Sequence, residues 1–399
     1  QSSLLNNGSV FNYTQAPSPI PKSLTWEKAT TYDLGLDFEA FNGRLNFSAD
    51  IYRKKTTDMY VVGEELPAVF GNSAPKGNYA DMRTDGWEAS LSWRDSHKVA
   101  GKTLSYNIKV AVWDNTSKIT RYTAKTGTLP TNYSINYYEG MTLGEMWGYK
   151  CDGLFQSDEE AQTWANYSKF TNRSATWQAG DPRYLDLNGD GYVNNGNNTI
   201  YDHGDLVKIG NTTPRYSYSI QGGVRWNGIG ISMMWQGVGK RDWYPAKESG
   251  YFWGQYGRPY SMALPWHNSD RWSPTNRGAY WPRLVGYSAS DSGLILAQPN
   301  TRYVQDASYI RLKNITIDYT FPKHICKKLR IEGLKIYVSG ENLFTHSPMF
   351  KYTDMFDPEV ITSGDSDFAS TQKSGLGGTG NGYSYPMLKT VTLGVNVTF

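Results

Sequence analysis

Asp186-Leu187-Asn188-Gly189-Asp190-Gly191 places oxygen donors at alternate positions ahead of a glycine turn. A loop of that kind folds around a hard cation, because oxygens at its first, third and fifth positions converge on calcium. The candidate calcium ligands are Asp186, Asn188, Asp190, Tyr192, Asp202 and Asp205. The twelfth position carries Asn197 where a bidentate Glu is expected, so Asp202 or Asp205 would supply the missing carboxylate by a longer route. The plainer alternative is a metal-free Asx turn, since Asp, Asn and Gly favour such loops anyway.

A second constellation lies in residues 237–299, where aromatic rings are dense. Flat rings stack on the apolar faces of sugars, and Arg241, Asp242, Arg258, Asp270 and Arg271 could hydrogen-bond the hydroxyls. The candidate ligand-binding residues are Trp243, Tyr251, Trp253, Tyr256, Arg258, Trp266 and Trp272. The alternative is that these rings pack the segment against itself or against a partner protein. Nothing else suggests chemistry. The histidines (His97, His203, His267, His324, His346) lack ligand spacing, and no GxSxG, HExxH or P-loop signature occurs. No two carboxylates pair as a glycosidase requires. The reading is therefore no enzyme, and no cofactor for catalysis. Cys151 and Cys326 stand far apart, as one disulfide or as two thiols.

The elements that must position these residues read as strands. With 399 residues, the chain has room for two or three ordinary domains or one large β architecture. Aromatics reach 15% and charged residues only 19%, which excludes a charged disordered protein or a coiled coil. Lys and Arg (40) against Asp and Glu (37) leave +3 without a basic stripe, so there is no nucleic-acid footprint. No run of about eighteen apolar residues exists, which excludes a membrane-spanning helix but not a membrane.

The dominant period is two. Tyr32, Leu34, Leu36 and Phe38 alternate with Asp33, Gly35 and Asp37. Leu45 to Ile51, Trp87 to Trp93 and Leu104 to Val112 repeat the pattern, as do later stretches in 216–226, 229–235, 315–321, 334–338 and 391–399. Each predicts a strand with one apolar and one polar face. Helical spacing is weak, and the best candidate is residues 157–167. About nine strands result, and the fold class they predict is all-β.

The connections carry more. Asn42-Gly43, residues 97–102, Asn227-Gly228 and Glu332-Gly333 read as short turns. Between them lie connections of roughly 30 to 60 residues and more, longer than a compact domain tolerates as structureless loops. That asymmetry suits a transmembrane antiparallel β-barrel with short periplasmic turns and long extracellular loops. The loops are expected at about 57–84, 125–212, 238–300 and 345–384, with 1–28 the tail of another outer loop. If all tight turns share one side, the last strand ends there, and 125–212 adds an even number of spanning strands, zero included. An odd count points to missing strands upstream, because single-chain bacterial barrels use even numbers. The chain opens with Gln1, so a removed signal or a segment of something longer is expected, and the strand count favours the second. Arg94, Lys109, Arg215, Arg225, Lys335 and Glu341 fall on polar faces, which in a barrel look into the lumen. The competing architecture is a soluble array of sandwiches, whose alternation reflects one buried and one wet face.

Leu24-Thr25-Trp26-Glu27-Lys28-Ala29-Thr30-Thr31-Tyr32 and Asp50-Ile51-Tyr52-Arg53-Lys54-Lys55-Thr56-Thr57-Asp58 resemble the SusC/RagA family of TonB-dependent outer-membrane transporters. So do Gly148 to Phe155, Tyr303 to Asn314 and Ser339 to Leu343. Phe399 closes Val395-Asn396-Val397-Thr398-Phe399 and looks like the terminal aromatic strand that serves as an outer-membrane insertion signal. The resemblance covers only the C-terminal part of the family's barrel, and the plug domain is not present in this chain. It implies an integral protein of the bacterial outer membrane, in contact with its lipid, importing glycans or oligopeptides. It also implies a SusD-like surface lipoprotein as partner, an upstream plug and barrel segment, and a TonB complex acting through that absent part. The alternative from another class is a secreted all-β carbohydrate-binding or adhesion protein with a calcium loop. A glycoside hydrolase is a distant third.

Overall fold

The computed structural model describes residues 5–6, 9–10, 20–22, 24–63, 69, 75–123, 127, 129–130, 136–164, 177–246, 249–257, 262–285, 289, 295–296, 298–361 and 385–399. Nine strands form one sheet: β1 Lys28–Ala40, β2 Leu45–Val62, β3 Lys76–Val99, β4 Lys102–Tyr122, β5 Arg215–Trp226, β6 Ile229–Lys240, β7 Tyr309–Thr320, β8 Gly333–His346 and β9 Thr390–Thr398. Each pairs antiparallel with its neighbour in the chain, so the spatial order is β1 through β9.

The alternation of the sequence becomes two faces because successive strand side chains point opposite ways. Register then joins them into rows. Phe38 sits opposite Phe47, Phe47 opposite Leu91, Leu91 opposite Val110 and Val110 opposite Ile220. Ile220 continues to Trp235, Leu312 and Phe344. Another row runs Ile231, Ile317, Val338, Leu393. No second layer covers these rows among the described residues: Leu34, Ile51, Ile317, Val338 and Leu393 are exposed. The sandwich architecture is thereby set aside. A single sheet whose apolar face stays open requires a solvent of hydrocarbon, and the fold is an all-β antiparallel barrel wall.

Four connections lie at one end: residues 41–44, 100–101, 227–228 and 321–332. Asn42 and Asn227 adopt φ of 56° and 48°, followed by Gly43 and Gly228 at 76° and 88°, the left-handed pair that a tight hairpin needs. β9 also finishes at that end. β4 pairs directly with β5, so the stretch between them adds no strand to the wall, in line with parity.

The loop bounds need correction. The sheet continues through Val62 and resumes at Lys76, so most of 57–84 is strand. Above the apolar band both faces are wet, and alternation fades while the hydrogen-bond ladder persists. The 24 residues of β3 extend roughly 80 Å at strand rise, far beyond a band of about 25 Å. The other loops shift to 123–214, 241–308 and 347–389. The expected turn at Glu332-Gly333 instead closes a longer connection with a helix at Lys323–Lys328.

Candidate functional site

Two surfaces are available to a solute: the polar face of the wall, and the layer built by the loops opposite the short turns. On the wall, Ser90, Ser92, Lys109, Ser219, Gln221, Arg225, Asp318, Lys335 and Glu341 alternate with the apolar rows and line the lumen. Near the short turns this face encloses a concavity of about 750 Å³ bounded by Arg44, Arg94, Asp95, Arg225, Asp318 and Lys335. Arg225 Nη2 donates to both Asp318 oxygens (2.8 and 3.0 Å), Lys335 Nζ stands 3.5 Å from the same carboxylate, and Arg44 pairs with Asp95 at 3.3 Å. Arg94 donates to the Gly43 carbonyl at 3.0 Å. Four cations facing two carboxylates leave this floor of the lumen positive. Arg215 departs from the simple alternation: Tyr216 takes φ of 54°, and Arg215 closes a bidentate pair on Asp114.

The loop layer is built the opposite way, around a closed core. Three short ribbons shape it: Glu145–Tyr149 with Leu206–Asn211, Cys151–Leu154 with Pro182–Tyr184, and Asp242–Trp243 with Gln305–Asp306. The helix foreseen in 157–167 runs Asp158–Thr163, with Ser157 capping it by accepting from Glu160 N–H at 3.1 Å. Tyr149, Phe155, Tyr184, Phe252, Tyr303 and Phe356 pack into one cluster drawn from all three long insertions.

Buried polar nodes fasten the insertions together. Arg241 donates to the carbonyls of Thr212 (3.2 Å), Pro358 (3.2 Å) and Ile361, one from the insertion before its own and two from the insertion after it. Burial lowers its pKa, and among the described residues it makes no ion pair with a carboxylate. Arg283 closes a bidentate pair on the fully buried Asp181. Arg311, at the bulge of β7, bridges Asp357 (2.5 Å) and Glu359 (2.6 Å), and Lys313 adds 2.9 Å to Glu359. Sequence reasoning missed these nodes, whose partners lie up to 120 residues apart.

Most of the candidate ligand rings pack in this core, the arrangement expected if the segment packs against itself, rather than offering their faces to a solute. Trp243, Trp253 and Tyr256 are fully enclosed. Trp253 meets Phe252 at 4.8 Å and Tyr303 at 5.3 Å between ring centres, and its indole N–H donates to the Pro245 carbonyl (3.0 Å). Tyr256 donates to the Pro282 carbonyl at 2.7 Å. Edge-to-face contacts of this sort satisfy the rings internally, leaving no face for a sugar. Among the described members of the set Tyr251 alone stands open, at 51% exposure, while Trp266 and Trp272 are half-buried. Their indole N–H groups have no partner among the described residues. Trp272 lies on the backbone of Gly180, where an added Cβ would come within 2.6 Å of the ring. Arg258 lies outside the described residues.

His267 sits inside the same cluster, 4.3 Å from Trp281. Its Nε2 bonds the Phe252 carbonyl (2.8 Å) and its Nδ1 accepts from Leu264 N–H (3.4 Å), which fixes the neutral tautomer. Burial pushes its pKa down to about 4.

In the 186–191 loop, Asp186 accepts from Gly189 N–H (2.7 Å) and Gly191 N–H (2.8 Å), Asn188 from Asp190 N–H (3.0 Å), and Asp190 from Tyr192 N–H (2.8 Å). These bonds fold the loop through four side-chain oxygens, and Asn188 Nδ2 donates to the second Asp190 oxygen at 3.2 Å. The more distant carboxylates have other partners. Asp205 is buried and accepts from Leu187, Asn188 and Asn194 N–H, bracing the loop from behind, while Asp202 holds Asn197. Among the described residues no group of three or more His, Cys, Asp or Glu side chains is gathered as a metal site, and Asp186, Asn188 and Asp190 alone supply few of the six to eight oxygens that calcium takes.

The family model described as TonB dependent receptor-like, beta-barrel, matches residues 2–343. The chain is 26% identical over 395 residues to TonB-dependent receptor P26 of Formosa agariphila, an alignment covering 96% of this chain and 35% of that protein. It is 22% identical over 405 residues to TonB-dependent receptor SusC of Bacteroides thetaiotaomicron, covering 98% and 34%. The chain thus spans about a third of the length of the curated relatives it matches. Among solved structures, the RagAB peptide transporter superposes with a TM-score of 0.66 at 19% identity, covering 100% of this chain and 38% of that one.

Proposed function

Because this chain belongs to the TonB-dependent receptor-like β-barrel family and is similar to SusC and RagA members, we propose that it is the C-terminal part of the barrel of an outer-membrane importer for glycans or oligopeptides. The observation that carries the reading is the inverted sheet: nine strands with, among the described residues, an open apolar face, a polar opposite face, and edges at β1 and β9 that have no partner strand. Open edges in lipid cost several kcal/mol for each unmatched backbone group, roughly, so further strands must complete the cylinder. We assign those strands and a plug to an upstream segment, with TonB acting through that part.

The closed core of the loop layer supports a rigid rim on which a SusD-like lipoprotein could seat. Solute contact then falls to the lumen face and to the exposed parts of the rim, Tyr251 included. RagAB is named a peptide transporter, which puts oligopeptides beside glycans as cargo. Phe399, exposed at the end of β9, serves as the insertion signal in this reading. A soluble adhesin would need its apolar rows covered, and the single sheet gives them no cover. The test is uptake by cells expressing the full-length protein that carries this chain, with labelled oligosaccharides and oligopeptides offered separately. Uptake of one class that requires both TonB and a co-purifying lipoprotein is the expected result. A chain that stays dispersed without detergent and supports neither uptake would overturn it.

A further inference from the structure

The four connections at the short-turn end are not alike. Residues 41–44, 100–101 and 227–228 are bare turns, whereas 321–332 carries the helix Lys323–Lys328. Cys326 is buried and fixes that helix against the start of β8, where Ile331 N–H donates back to the Cys326 carbonyl (3.1 Å). Glu332 N–H donates to Thr398 of β9 (2.8 Å). With Cys326 turned inward, Lys323, His324, Lys327, Lys328, Leu329 and Arg330 are all exposed. Four permanent cations face one anion, Glu332, in this connection, and none of the four makes an ion pair among the described residues.

The neighbouring turns continue the patch. Trp226 Nε1 donates to the Val99 carbonyl (3.3 Å) and Thr320 N–H to Gly228 (2.8 Å), so the rims of three hairpins lie side by side. Lys98 and Lys102 add exposed cations there. On the apolar side, rings end the wall: Tyr319 against Phe321 at 4.9 Å, then Trp226 and Phe399. Moving down the wall, one meets aliphatic rows, then aromatic rings, then basic side chains. That is the polarity profile of a bilayer interface, with rings at headgroup level and long cationic stems reaching the phosphates.

We propose that residues 321–332, with Lys98 and Lys102 beside them, form a binding site for anionic phospholipid headgroups in the leaflet that borders the short turns. The proposal rests on the membrane-spanning reading of the wall. Anionic leaflets attract juxtamembrane cations, and the attraction fades within a Debye length of salt. The full-length protein carrying this chain should be reconstituted in phosphatidylcholine bilayers with trace spin-labelled phosphatidylglycerol or phosphatidylcholine. Phosphatidylglycerol is expected to be immobilised roughly three-fold in excess over phosphatidylcholine. The excess should collapse in the K323Q/K327Q/K328Q/R330Q variant, fall partway in K98Q/K102Q, and vanish for the unaltered protein in high salt. The salt arm needs no mutation, so a variant that fails to assemble does not remove the test. Equal immobilisation of both lipids in the unaltered protein would overturn the site while leaving the barrel intact. No immobilised lipid of either kind would overturn the membrane reading itself.

Discussion

Leu393 in β9 and Trp253 in the loop layer are both large and apolar, yet one is 77% exposed and the other 1%. The wall and the loops were built from the same residue types and arranged inside out with respect to each other. In the loops, rings gather around Trp253 and Trp281 because water surrounds the layer and apolar area leaves it. In the wall, each strand spends one face on hydrocarbon, so its apolar side chains need no partner within the protein, and the backbone ladder carries cohesion. Burial alone is therefore a poor guide to importance here. An exposed Leu in β9 is as well solvated by lipid as a buried Trp is by its neighbours.

The strongest way to break that comparison is to put one charge on each face of the wall. Ile220→Arg places it among the apolar rows, and Ser219→Arg places it on the lumen side at the same depth. The first should destabilise the reconstituted full-length barrel by about 2–4 kcal/mol in urea unfolding, the second by less than about 1 kcal/mol. Equal costs, or the reverse order, would mean that the open rows do not face lipid.

A smaller effect separates the two regions by pH. His267 has a folded pKa near 4 against an ordinary value of 6.5, because burial disfavours its charged form. Above 6.5 it is neutral folded and unfolded alike, and its contribution is intact. As pH falls from 6.5 toward 4 the unfolded chain takes up a proton that the folded one refuses, so stability is lost by up to about 3 kcal/mol. Protonated Nδ1 would also face the Leu264 N–H that it now accepts. Near-ultraviolet dichroism of the full-length protein should report loosening of loop tryptophans over that window while the far-ultraviolet strand signal holds. His267→Gln should flatten the response, and an unchanged pH profile in that variant would relieve His267 of the role.

How much of this was legible follows from period. Nine strands, their polarity and the side of the tight turns could be read because alternation at period two is a direct record of two solvents. The upper ends of β2 and β3 could not, since Lys55 to Met59 and Lys76 to Arg83 have water on both sides and no reason to alternate. The loop layer left no period either. A run such as Tyr251-Phe252-Trp253 has the composition of a sugar platform and of a stacked core, and only the placement of Phe252 and Trp253 inside, with Tyr251 outside, separates them. Arg241 and Arg311 were unreadable for a different cause: their partners come from distant segments that the fold alone brings together.

The smallest effect concerns the 186–191 loop, which belongs to neither regime, being exposed and held by its own polar atoms. We propose that Asp186, Asn188 and Asp190 take calcium weakly, because Asp205 and Asp202 already serve backbone and side-chain donors elsewhere. A site of so few protein oxygens should bind in the range of extracellular modules, about 10⁻⁴–10⁻³ M. At ten times that constant the linkage gain is about 1.4 kcal/mol, a rise in melting temperature that a chelator reverses. Asp190→Ala should remove the calcium response with little change in its absence, since the donors it frees, Tyr192 N–H and the Asn188 side-chain amide, lie on an exposed rim. Asp186→Ala should do both, removing the response and costing about 1 kcal/mol without calcium, because Gly189 and Gly191 N–H lose their acceptor together. Asp202→Asn should leave the response in place. If the unaltered protein ignores calcium while Asp186→Ala still destabilises it, the oxygens are there to fold the loop and the cation is not part of it.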